Sequence, residues 1–111
     1  NKNMEKSANL LEMVQPGVDE DETIRTFIFR GEGHTLGNAL RWMIMQSPGV
    51  KFCGYTIPHP SEDLFHLRIE TVGDSARDVL ESGLTNLENM CDLMLIKLKN
   101  AVEEFVPTNE Q

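Results

Sequence analysis

The sequence predicts an α+β fold: a small sheet containing antiparallel strands, a short helix and one long C-terminal helix. Runs at residues 23–30, 50–57 and 64–71 are rich in β-branched and aromatic side chains and read as strands. Between the first two, Leu36, Ala39, Leu40, Met43 and Ile44 fall at i, i+3, i+4, i+7 and i+8, the apolar stripe of a helix. From residue 75 to residue 105 the periodicity is helical throughout.

Each element has a local cause. Residues 1–22 mix Lys, Asn and Gln with the acidic run Asp19-Glu20-Asp21-Glu22 and are expected to form a flexible acidic tail. Leu10, Leu11, Met13 and Val14 make a small apolar island in it, able to dock as one helical turn. In the first strand Ile24 and Ile28 occupy one face and Phe27 and Phe29 the other, which predicts cover on both sides. The Ser47-Pro48-Gly49 segment ends the short helix, because proline disfavours helical geometry in the residue before it. In the third strand Phe65, Leu67 and Ile69 alternate with His66, Arg68 and Glu70. The short 58–63 link folds the second and third strands into an antiparallel hairpin.

Ser75-Ala76-Arg77-Asp78 has the form of a capping box, and Pro107 stops the long helix. At 1.5 Å per residue that helix is about 46 Å long. Leu80, Leu84, Leu87, Cys91, Met94, Leu98, Ala101 and Phe105 alternate spacings of four and three, a seam kept for about four heptads. Such a helix outruns the roughly 30 Å width of a small domain, so part of its apolar face needs cover from another chain. An obligate dimer with helix-against-helix contact is the expectation, against the alternative of a helix bent around its own sheet. Gly83, within the seam, is expected to admit close approach by the partner helix.

Size and charge narrow the function. The 111 residues provide one folded domain, expected at 23–106 with a short tail at 107–111. A net charge of −8, from 10 basic and 18 acidic side chains, opposes a direct grip on nucleic-acid phosphates. No apolar stretch approaches the roughly 20 residues that span a bilayer, and a membrane partner is not expected. Cys53 and Cys91 form no Cys-x-x-Cys, and His34, His59 and His66 share no ligand spacing, so no metal or other cofactor is expected. No serine lies in a Gly-x-Ser-x-Gly elbow, and no catalytic residue is expected. One enzyme alternative stands: Gly31, Gly33 and Gly37, between a strand and a helix, read as a loose phosphate loop of a small nucleotide-binding domain. Against it, Glu32 would set a negative charge beside the phosphates, and the next strands form a hairpin instead of a βαβ unit.

The string Glu32-Gly33-His34-Thr35-Leu36-Gly37-Asn38-Ala39-Leu40-Arg41, followed by Phe52-Cys53-Gly54-Tyr55 and Ile57-Pro58-His59-Pro60-Ser61-Glu62, resembles the signature of the RNA polymerase alpha-type assembly subunits. It is similar to their short eukaryotic and archaeal branch, in particular to the small subunits shared by polymerases I and III; the polymerase II counterpart is the alternative. The resemblance covers roughly residues 23–105 and implies the dimerisation-domain fold of the alpha subunits. It implies a non-catalytic platform, paired with the larger alpha-like subunit, that holds the large catalytic subunits during ribosomal and small-RNA transcription in the nucleus and nucleolus. Leu36, Ala39, Leu40, Met43, Leu80, Leu84, Leu87, Cys91, Met94 and Leu98 would form the heterodimer seam. His34, Thr35, Gly37, Asn38 and Arg41 would organise the helix start, with Thr35 as its cap, and contact a large subunit. Two departures stand out: Gly33 where eukaryotic relatives usually carry aspartate, and Trp42 where bacterial members tend to carry a second arginine.

Overall fold

In the computed structural model, residues 10–105 are described. The elements in chain order are strand β1 (Leu11–Met13), strand β2 (Ile24–Arg30), helix α1 (His34–Met45), strand β3 (Val50–Thr56), strand β4 (Leu64–Thr71) and helix α2 (Ala76–Glu104). The strands form one antiparallel sheet in the order β1-β2-β4-β3. Both helices pack on the same side of it, which makes the fold two-layered. The antiparallel order has no place for the parallel βαβ frame of a dinucleotide site, so the nucleotide-binding alternative loses its scaffold.

Strand register explains the core. Phe27 pairs with Leu67 and Phe29 with Phe65, and these side chains meet the helix side of the sheet. The Phe29 and Phe65 rings stack with centroids 4.8 Å apart. Leu40 and Ile44 of α1 and Ala76, Val79 and Leu80 of α2 close the core from above. Gly83 lies over Ile44, where an added Cβ would come within 2.7 Å of Ile44 Cγ1. The close approach expected there is therefore made by α1 of the same chain, not by a partner helix.

The opposite sheet face is only partly covered. Ile24 and Ile28 are half-buried, Phe52 is exposed, and Arg68 bonds Glu70 at 2.9 Å and Glu20 at 3.2 Å across it. Cover on both sides of β2 was expected, yet helices sit on one side alone; the β-branched residues on the other rest among ion-paired side chains.

The acidic tail expectation fails for the part of it that is described. Leu11–Met13 pairs with Met13 opposite Phe27 and Leu11 opposite Phe29, and Glu12 bonds Arg30 at 3.1 Å. This edge strand forms because β2 offers the segment a free edge to pair with, not because of its own pattern, in which Leu10, Leu11, Met13 and Val14 fall at the i, i+1, i+3 and i+4 spacing of a helical turn. Asp21 accepts bonds from Thr23 and Arg25, so the acidic run also joins the fold. Residues 1–9 of the expected tail and the 107–111 tail lie outside the described residues.

Candidate dimerisation interface

Helix α2 begins as its sequence dictates. Ser75 is extended at the N-cap, and its Oγ accepts from the Asp78 backbone N–H at 3.5 Å. The first two turns are anchored by Ala76, Val79, Leu80 and Gly83, all buried. Leu84 and Leu87 are partly covered against the core. From Glu88 through Phe105 every residue is exposed.

At about 1.5 Å per residue, the exposed half extends the helix well past the sheet that anchors its root. It is not a polar solvent helix. Met94 and Leu98 are each 60% exposed, and Leu93, Leu95, Ile96, Val102 and Phe105 are exposed as well. A large apolar side chain taken out of water is worth roughly 1.5–3 kcal/mol, so this many left uncovered forgo a sum comparable to a domain's net stability. A contiguous apolar surface of this kind marks a protein interface.

The seam residues expected from sequence divide into three groups. Cys91, Met94 and Leu98 are fully exposed on the overhang. Leu36, Ala39, Met43, Leu84 and Leu87 are half-buried, and Leu36, Leu84 and Leu87 pack against the core. Leu40, 0% exposed, and Leu80, 4% exposed, are enclosed by the chain's own sheet and helices and offer no surface. Periodicity placed those two on the apolar stripe, but a stripe does not reveal where intramolecular cover ends.

The signature segment is divided in the same way. Gly33 is the N-cap of α1 and has no side chain to cap with; Thr35, the expected cap, lies inside the helix and does not cap it. Gly37 is buried beneath the Tyr55 ring, where a Cβ would meet Cδ2 at 2.9 Å, so it cannot touch a large subunit. His34 Nδ1 lies 2.8 Å from the Tyr55 hydroxyl, and the two rings meet edge to face. Tyr55 in turn packs edge to face on Phe65. The glycine and histidine of the helix start therefore lock α1 to β3 through one tyrosine, which joins the two sequence strings.

Thr35, Asn38 and Arg41 remain exposed, together with His34. Sequence reasoning missed two neighbours on this outward face: Trp42, 55% exposed, and Met45. Trp and Arg are the side chains most enriched at binding hot spots, and an exposed tryptophan beside an arginine was the available signal. Cys53 sits under α1, where burial pushes its thiol up to about 11 against the opposing charge of Arg41. Among the described residues no group of His, Cys, Asp or Glu is arranged to hold a metal, and no helix is long and apolar enough to cross a membrane.

A two-layer α+β domain whose long helix projects an uncovered apolar seam belongs to the class of dimerisation domains. The sequence matches the family described as RNA polymerase Rpb3/Rpb11 dimerisation domain over residues 25–97, and the chain belongs to that family. It is 50% identical over 84 residues to the DNA-directed RNA polymerases I and III subunit RPAC2 of Drosophila melanogaster, covering 76% of this chain and 80% of that one. Against the subunit of the same name from Danio rerio the identity is 45% over 101 residues, covering 90% and 89%. The Saccharomyces cerevisiae subunit of that name is 43% identical over 96 residues, covering 86% and 68%. In fold, the chain is similar to the solved DNA-directed RNA polymerase subunit L of Thermoplasma acidophilum, with a TM-score of 0.62, 14% identity and coverage of 87% and 96%.

Proposed function

We propose that this chain is the small alpha-like assembly subunit of RNA polymerases I and III, and that it pairs with the larger alpha-like subunit through the overhang of α2. It does no chemistry. Its contribution is a rigid platform, with one surface for pairing and another for the large catalytic subunits. The observation that carries the reading is the exposed, apolar second half of α2 in a member of a dimerisation family. Three relatives bearing the polymerase I and III name favour that assignment over the polymerase II counterpart. Membership in those polymerases implies the nucleus, and the polymerase I share implies the nucleolus.

The pairing surface comprises Cys91, Met94 and Leu98 with the half-buried flank of Leu36, Ala39, Met43, Leu84 and Leu87. The large-subunit surface comprises His34, Thr35, Asn38 and Arg41, extended by Trp42 and Met45. These belong to different faces of the molecule, so pairing and docking are separable. Met94→Glu, in a chain co-expressed with the larger alpha-like subunit, would bury an unpaired carboxylate and cost several kcal/mol in association. Affinity capture should lose the larger subunit while the variant's own fold, anchored elsewhere, survives. Undiminished recovery of that subunit rejects this interface.

A further inference from the structure

The turn that joins α1 to β3 carries the dipeptide Ser47-Pro48, of which the fold uses the proline as a helix stop and leaves the serine without a structural task. Residues 46–49 lie outside helix and strand, with Pro48 and Gly49 exposed and Ser47 half-buried. The Ser47 backbone N–H donates to the Ile44 carbonyl at 3.0 Å. Gln46 beside it, Thr71 at the end of β4 and Ser75 at the start of α2 all hold their side chains in hydrogen bonds, whereas the Ser47 hydroxyl bonds to no group among the described residues. A serine followed by proline in an exposed turn is what a proline-directed protein kinase reads. Proline biases the residue before it towards extended backbone and carries no N–H of its own, the two properties such an enzyme selects.

The surroundings of that hydroxyl give a phosphate there a definite effect. Ser47 and Pro48 form one side of a groove of about 280 Å³, and Asp74, Asp78 and Ser82, around the root of α2, form the other; no Lys or Arg lines it. The loop before α2 is held close to the turn. The Val72 backbone N–H donates to the Gly49 carbonyl at 2.8 Å, and a Cβ added at Gly49 would lie 3.9 Å from Asp74 Oδ2. The turn also follows the C-terminal end of α1, where the helix dipole is negative and the last turn has no basic side chain to offset it. The N-terminal end of α2 would attract an anion, but Asp74 and Asp78 already bring negative charge to it.

We propose that Ser47 is a phosphorylation site for a proline-directed kinase, and that the phosphate acts as a switch that loosens the junction between α1 and α2. The γ-phosphoryl group of ATP passes to Ser47 Oγ: an O–P bond forms there, the bond from phosphorus to the β–γ bridging oxygen breaks, the hydroxyl proton goes to the kinase's base, and ADP leaves. The product places a charge of about −1.5 to −2 at neutral pH against two carboxylates and a helix C-terminus. Three residues before Ser47, Ile44 packs against Gly83, so repulsion across the groove acts beside the contact that joins the two helices. Helix α1 carries the docking face and α2 the pairing surface, and on that reading, on which this consequence rests, modification changes how one surface is held relative to the other.

The test is treatment of the full chain, in its co-expressed complex with the larger alpha-like subunit, with a purified proline-directed kinase and magnesium ATP, followed by peptide mass spectrometry and thermal melting. Ser47 should take up phosphate in the folded complex, Ser47→Ala should take up none at this turn, and Pro48→Ala should lose most of the uptake. The phosphorylated complex should melt about 4–8 °C below the unmodified one at low ionic strength. Because the effect is charge repulsion, that gap should close in about 1 M salt, where the screening length is about 3 Å, and Asp74→Asn should narrow it at low salt. Uptake at Ser47 by the heat-unfolded chain but not by the folded complex rejects the site. Full uptake with unchanged melting rejects the switch, as does a gap that salt leaves intact. If co-expression yields no complex, the pairing reading fails, and the same uptake and melting of the chain alone decide the Ser47 proposal.

Discussion

The two cysteines show how far position decides chemistry at the scale of one residue. Cys53 is buried under α1 with its thiol pushed up to about 11, whereas Cys91 stands exposed on the seam. In the isolated chain at neutral pH, iodoacetamide should therefore modify Cys91 and spare Cys53, and pairing should protect Cys91; peptide mass mapping of the two states checks this. Burial also sets a pH dependence. The unfolded thiol ionises near 9.0 and the folded one near 11, so the unfolded state gives up its proton first as pH rises. The contribution of Cys53 is complete below the unfolded value and falls by about 1.4 kcal/mol per pH unit through that window. Denaturant titrations of the heterodimer should show the slope, and Cys53→Ala should flatten it. Gly83→Ala gives a second residue-level outcome. Helix propensity gains about 1 kcal/mol, but the new Cβ meets the fully buried Ile44, and overpacking of that kind costs roughly 1–3 kcal/mol. The melting temperature should fall; a rise would mean that Ile44 has room to move. Sequence alone marked Gly83 as a place of close approach but named the wrong neighbour, a partner helix, because Ile44, which fills that space, is distant in the chain.

Elements were legible where periodicity was long or strongly alternating. Strand β4, with Phe65, Leu67 and Ile69 inward, and α2, with its Ser75 cap, form where the pattern placed them. Strand β1 was not legible, because three residues carry too little alternation to compete with the charged segment around them, and their strand state depends on the edge of β2. Its presence changes the expected result of truncation. Deleting residues 1–21 would remove the ladder to β2, the Glu12–Arg30 pair and the wall over Phe27 and Phe29. The heterodimer should lose more than about 2 kcal/mol of stability by denaturant unfolding, a loss well beyond an ordinary surface change. Helix α1 carries the complementary prediction. Arg41→Glu and Trp42→Ala alter only exposed side chains, so the pair should form normally while recovery of the large catalytic subunits drops. A desolvated, hydrogen-bonded charge lost across an interface costs roughly 2–5 kcal/mol, so the drop should be near complete for Arg41. Normal incorporation of both variants into polymerases I and III would mean that the outward face of α1 is solvated in the assembly.

For the whole molecule, the central fact is that the chain does not cover its own helix. The seam was readable as a heptad pattern from Leu80 to Phe105, but the point at which intramolecular packing gives way to exposure, after Leu87, was not. That limit depends on where the sheet ends beneath α2, which is a property of the assembled fold and not of the helix's own sequence. It is also why Leu40 and Leu80 were assigned to the seam although they lie inside. Hydrogen exchange of the backbone amides compares the two states most directly: the chain alone and the chain paired with the larger alpha-like subunit. In the chain alone, residues 76–87 should be protected by their packing and residues 88–104 should exchange by local fraying. Pairing should slow exchange across residues 88–104 by orders of magnitude and leave β3 and β4 little changed. Equal exchange of residues 88–104 in the two states would contradict the claim that this half of α2 is the pairing surface.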